Sequence, residues 1–152
     1  QENNTLGDYI FQDCDKLINV TLPNSIKTLG IGAFRDCSGL TAVKIPNSVT
    51  SIEYGAFAQC KSLPSVTWNA VNCSDFYNYD DAPFYGCTNI SDIIIESGVK
   101  AIGSYAFAYY YNLSRNIATS SNGKHGGTSG FAKRPRQETL CVFKVEYPTK
   151  CN

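Results

Sequence analysis

The side chains with the strongest intrinsic chemistry in this 152-residue chain are seven cysteines and a single histidine. Cys14, Cys37, Cys60 and Cys87 occupy the same place in successive stretches of sequence. A zinc site would want Cys-x-x-Cys or Cys/His pairs, and neither occurs. Stacked along a fold axis, the four would be close enough in Cα distance for a bridge, but parallel Cβ vectors do not suit disulfide geometry. They read as buried thiols used as small apolar residues. Cys73, Cys141 and Cys151 lie off this series. A Cys141–Cys151 bridge would close a short loop in an oxidising compartment. The odd count leaves two alternatives, Cys73 paired with either one or Cys73 as a partly exposed thiol. His125 sits in NGKHGGTSG with no acid partner nearby in sequence. Catalytic triads are spatial, but a Gly/Ser-rich linker holds one poorly, and no phosphate-cradling Gly-rich motif follows a strand pattern. No catalytic residue, no cofactor and no metal is expected.

The other chemical cluster is NAVNCSDFYNYDDAP, residues 69–83, where Asp75, Asp80 and Asp81 stand beside Phe76, Tyr77 and Tyr79. Acids among aromatics suit a sugar ring or a cation. An EF-hand loop would need Asp-x-Asp-x-Asp-Gly, which is absent. An aromatic-rich insertion on a rigid scaffold reads better as a recognition loop.

The elements that must position these residues come from a repeat. LGIGAFRDCSGLTAVKIPNSVTS starts at Leu29, and IEYGAFAQCKSLPSVTW starts 23 residues later at Ile52. Phe34/Phe57, Cys37/Cys60, Leu40/Leu63 and Val43/Val66 recur at that period. Leu6, Phe11, Cys14, Leu17, Val20 and Leu22 form an earlier unit in the same register. Phe84, Cys87, Ile90, Ile93 and Ile95 form a later one, displaced by four residues inserted within Asn69 to Pro83. A fifth unit opens at Ile102 and places Tyr110 in the cysteine slot. After Leu113 the expected Val and Ile slots hold Asn116 and Ala118, so the pattern is expected to stop there. Such a period with a Leu-x-x-Val-x-Ile core marks a solenoid. In each unit Val and Ile alternate inward on a short strand. Pro23 or Pro46 then ends the strand, Asn-Ser turns the chain, and Ala-Phe opens a tight helical turn near the cysteine.

The pattern AFxxCxxLxxVxIPxSVxxIG resembles the leucine-rich repeat of BspA-like surface proteins, also called the Treponema pallidum-type repeat. The resemblance covers about Leu6 to Leu113. It implies a leucine-rich-repeat solenoid of about five units, secreted or at the cell surface, used for adhesion, with no shared catalytic site. The tail matches nothing in that family.

Formal net charge is zero, but it is unevenly spread. Residues 1–113 carry 6 Lys/Arg against 11 Asp/Glu, and residues 114–152 carry 7 against 2. The expected division is therefore a solenoid over 1–113, then a linker and possible capping strand over 114–152. In the tail, AKRPR is too short and lacks the interleaved aromatics that nucleic-acid binding would want. Alternation over Leu140 to Tyr147 suggests the strand. No run of 18 apolar residues occurs, so no membrane span is expected. The chain contains no Met and reads as a copy lacking its initiator and any leader.

The expected function is binding to a protein or glycan partner at a cell surface. Its surface would be the outward positions of a concave sheet, with Thr21, Lys44, Thr67 and Asp92 as contacts, and the loop residues Asp75, Tyr77, Tyr79, Asp80 and Asp81. The alternative is a structural subunit that self-assembles head-to-tail through the repeat ends and the basic tail.

Overall fold

The computed structural model of this protein describes residues 3–74, 76, 81–99, 101–102, 106–107, 117–119 and 143–144. Tyr110, His125, Cys141 and Cys151 lie outside the described residues.

The second and third repeats each lay down two short strands, and like strands of successive repeats pair side by side. The strands are β1 (Thr5–Leu6), β2 (Thr28–Leu29), β3 (Val43–Ile45), β4 (Ser51–Ile52), β5 (Ser65–Trp68), β6 (Asp92–Ile95), β7 (Ala101–Ile102), β8 (Ile117–Thr119) and β9 (Phe143–Lys144). One parallel ladder has the order β1-β2-β4, a second has the order β3-β5-β6-β8, and β7 pairs with β9. In the first ladder Thr5, Thr28 and Ser51 share a rung, as do Leu6, Leu29 and Ile52. In the second, Val43, Val66, Ile93 and Ile117 form one rung and Ile45, Trp68, Ile95 and Thr119 another. Three of the five parallel pairings step 23 residues, and the other two step 27 and 24; a slip of one residue would turn each buried Val and Ile to solvent. Val43, Ile45, Val66, Trp68, Ile93 and Ile95 are buried, while Lys44 between the first two is exposed.

The segment between the ladders is a chain of tight turns. Ala33 N donates to Gly30 O at 3.2 Å, Arg35 N to Gly32 O at 2.9 Å and Cys37 N to Phe34 O at 3.3 Å. Two left-handed residues interrupt this run and keep it from growing into a longer helix. They are Gly32 (φ 54°) and Asp36 (φ 58°), matched by Tyr9 and Asp13 one repeat earlier and by Gly55 and Gln59 one repeat later. A side chain in that region costs roughly 1–2 kcal/mol, and glycine takes the position in two of these three coils. The turns also bond from coil to coil: Phe11 N to Ala33 O at 2.9 Å, Phe34 N to Ala56 O at 2.7 Å, Phe57 N to Pro83 O at 2.8 Å.

These turns point one phenylalanine per coil into the core. Phe11, Phe34, Phe57, Phe84 and Phe107 stack in one column with centroid separations of 5.0–5.3 Å and planes within 11°. Trp68 meets Phe107 edge-on at 5.7 Å. Leu29, Leu40, Val49, Leu63, Ile90 and Ile102 complete one continuous cluster between the ladders. No unit buries this surface alone, and stacking does it for all of them.

Two regions differ from the expectations above. The ladder runs on past Leu113, because Ile117–Thr119 pairs with Ile93–Ile95. The slots fall on Ile117 and Thr119, not on Asn116 and Ala118; the step from Ile93 to Ile117 is one residue longer than the standard period. The first unit has only a single bridge, Asn19 to Ala42, where a strand was expected. Its Leu17, Val20 and Leu22 are half-buried, since among the described residues that coil is stacked on one side only.

Candidate functional site

The outward positions of the four-stranded ladder are the first candidate surface. Register places Lys44, Thr67 and Ile94 on one row, and the Asn19–Ala42 bridge carries that row back to Thr21. Asp92 stands on the neighbouring row, paired with Ser65. Lys44 Nζ reaches across to Glu96 Oε1 at 3.2 Å, an exposed pair worth little to stability. Glu96 escaped the sequence reading because it lies beyond the Leu-x-x-Val-x-Ile block; its position just after Ile95 was the available signal. Several hydroxyls on this side are turned into the backbone. Thr41 Oγ1 donates to Ile18 O at 3.2 Å, and Ser91 Oγ lies 3.4 Å from Pro64 O. The face is small-featured and weakly charged, with a backbone held by ladder bonds on both sides of β5 and β6.

The insertion lies elsewhere. Ser74 N donates to Thr50 O at 3.1 Å, continuing the step that Ser51 N makes to Lys27 O at 3.1 Å. The inserted chain therefore starts beside β4, where the next strand of the three-stranded ladder would stand. Phe76 turns into the core and is buried. Asp81 comes back beside Ser51, Glu53, Tyr54, Ser74 and Phe76, and together they line a cavity of about 310 Å³. Asp81 is thus brought to the β4 edge and away from the Lys44–Thr67 row. Asp75, Tyr77, Tyr79 and Asp80 lie outside the described residues. Ser51 to Tyr54 were missed as neighbours of this loop. The period could have found them, since Asp75 is one 23-residue step beyond Ile52.

The cysteine series is a structural column. Cys37 Sγ donates to Phe11 O at 3.1 Å, Cys60 Sγ to Phe34 O at 3.2 Å and Cys87 Sγ to Phe57 O at 3.0 Å. Each thiol satisfies a carbonyl of the preceding coil's turn. Burial pushes the Cys37 thiol up to about 11 from 9.0. A hydrogen bond with the Cys87 thiol, and then burial, raise Cys60. Both effects disfavour the thiolate, the nucleophilic and metal-binding form, so Cys37 and Cys60 are held as packing groups. Cys73 is half-buried and packs against the core from the insertion side.

Residues 4–135 match the BspA type leucine rich repeat region, in six copies where five units were read from the sequence. Among solved structures, a leucine-rich repeat protein from Bacteroides ovatus ATCC 8483 is similar, with a TM-score of 0.52 and 30% sequence identity. The match covers 60% of this chain and 24% of that protein, so the chain spans about a quarter of its length. No functionally curated protein matches.

Proposed function

The chain belongs to the BspA-type leucine-rich repeat family, and from that premise we propose that it is a secreted or cell-surface binding module for a protein or glycan. The observation that carries this reading is the row Thr21, Lys44, Thr67 and Ile94 on a ladder bonded from both sides. A partner that docks there meets short side chains on a pre-formed backbone, so little ordering entropy opposes binding. The insertion at 69–83 adds aromatic and acidic groups at the side. Of residues 114–152, Ile117–Thr119 extends the ladder, and the remainder serves as linker and cap, a role supported by the antiparallel pairing of β9 on β7. The test is adhesion of the purified chain to host-cell and extracellular-matrix surfaces, compared with a Thr67→Arg/Lys44→Glu variant of unchanged thermal midpoint. Adhesion lost in the variant supports the sheet as the contact face. Equal adhesion by both removes it.

A second reading, head-to-tail assembly, is favoured by one observation. Of the seven large apolar side chains exposed among the described residues, Tyr9, Ile10, Phe11 and Ile18 all belong to the first coil. Such an end matches the coil-on-coil contact already repeated along the body. Sedimentation over a hundredfold concentration range tests it: growth in size that Ile18→Glu abolishes supports assembly, and a strict monomer rejects it.

A further inference from the structure

We propose that the cavity between β4 and the insertion binds one ring of a neutral or amino sugar; this rests on the binding-module reading above and names a ligand for one of its surfaces. The cavity lies beside β4, next to Ser74 where the inserted chain begins, and its volume of about 310 Å³ lies at the lower end of the range for small-molecule sites. Its floor is apolar, made by Ile52 and Phe76, both buried. Its lining includes Tyr54, 40% exposed, an aromatic ring of the kind that packs on the C–H side of a pyranose. Glu53 and Asp81 supply two carboxylates, and Ser51 and Ser74 two hydroxyls.

Glu53 is held in place. Its backbone N–H bonds to Leu29 O at 2.8 Å and its carbonyl accepts from Ala56 N at 3.2 Å. Ser51 Oγ donates to its Oε1 at 2.7 Å. No basic residue lines the cavity among the described residues. Carboxylates accept hydrogen bonds and do not donate them, so the ligand must bring donors, as sugar hydroxyls or an ammonium do, and an anionic sugar is repelled. A bare divalent ion fits less well: calcium wants six to eight oxygens, and among the described residues no three acidic, histidine or cysteine side chains gather.

Glucose, glucosamine and glucuronic acid test the assignment, because they share one ring frame and differ in charge. The full chain, isotopically labelled, is titrated with each by NMR at a pH where the glucosamine amine is protonated. Saturable shifts at residues 51–54 are expected, tightest for glucosamine, weaker for glucose and absent for glucuronic acid. Glu53→Gln and Asp81→Asn should each weaken glucosamine by about tenfold, as loss of a charge-assisted bond implies, with a smaller change for glucose. Tyr54→Ala should weaken both. The proposal is overturned if none of the three saturates, if glucuronic acid binds as tightly as glucose, or if the variants bind like the parent. Surface adhesion that persists through such a failure would leave the binding-module reading standing and remove only the sugar.

Discussion

The two parallel ladders are built from the same repeats, yet among the described residues one stops at the insertion and the other runs across it. The four-stranded ladder passes from β5 to β6 across the insertion with four rungs in register. The three-stranded ladder ends at β4 among the described residues. Between the ladders, Phe57 and Phe84 stack at 5.2 Å, close to the 5.0 Å of Phe34 and Phe57, although 27 rather than 23 residues separate them. The solenoid therefore absorbs the added chain on the side of β4, and keeps the longer ladder and the ring column intact. The reason is energetic. Extra chain beside a two-residue strand disturbs few backbone bonds, whereas breaking the ring column would open a cavity in the continuous core. The two proposed surfaces follow the same split: the four-stranded ladder is the platform, and the cavity lies beside β4.

That contrast can be broken at its strongest point by Phe57→Ala. The ring is fully buried between two others, so the loss should be about 3–5 kcal/mol, read from urea unfolding. Phe11→Ala, at the partly exposed end of the column, should lose distinctly less. Equal losses would mean the column is not a cooperative core.

Proline distinguishes the ladders directly. Thr67→Pro in β5, bonded on both sides, should destabilise by about 3 kcal/mol or more. Ser51→Pro removes one ladder bond, to Lys27 O at 3.1 Å, on the strand where its ladder ends, and should cost clearly less. The ranking of the two denaturation midpoints is the measurement, and its reversal would refute the assignment of platform and gap.

The thiol column should appear as a dependence on alkaline pH. Cys37 is held protonated by burial, from 9.0 up to about 11, and Cys60 shifts the same way. A folded thiol with a raised value keeps its proton where the unfolded thiol has lost it. The unfolded state then binds fewer protons, and stability falls as pH rises. The contribution is complete below pH 9.0 and is lost as pH climbs through about 11. Urea midpoints measured across that window should decline, and more gently in Cys37→Ala; parallel slopes would assign the decline to other groups.

The smallest effect should come from lengthening the insertion. Adding Gly-Ser-Gly-Ser between Val71 and Asn72, both exposed, should cost only about 0.6 kcal/mol, the order expected for closing a longer loop. The same four residues placed within β5 should cost several times more by thermal unfolding.

Much of this was legible in the residues. The recurrence of Phe, Cys, Leu and Val at fixed spacing gave the strand register directly, since in a solenoid a sequence period is also a spatial neighbour. The cysteine column was legible for the same reason, and so was the extra length before Pro83. The candidate site was less so. Thr21, Lys44 and Thr67 fall on one row because they hold one repeat position, but Asp92 holds another and drops to the next row. The strand at Ile117–Thr119 was hidden because one additional residue moved its apolar positions off the expected slots.

Repeat spacing alone determined the fold class, the paired ladders' register and the identity of the core, because each depends on contacts between residues one period apart. Where the inserted chain goes was decided only by tertiary structure. Four extra residues fit either side of a coil equally well on paper, and it was the packing of Phe57 on Phe84 and the bonds of β5 to β6 that left the edge of β4 as the place to give way. That choice brought Asp81 to Glu53 and Tyr54, residues with no relation in sequence pattern, and with them a cavity that joins acids to an aromatic side chain.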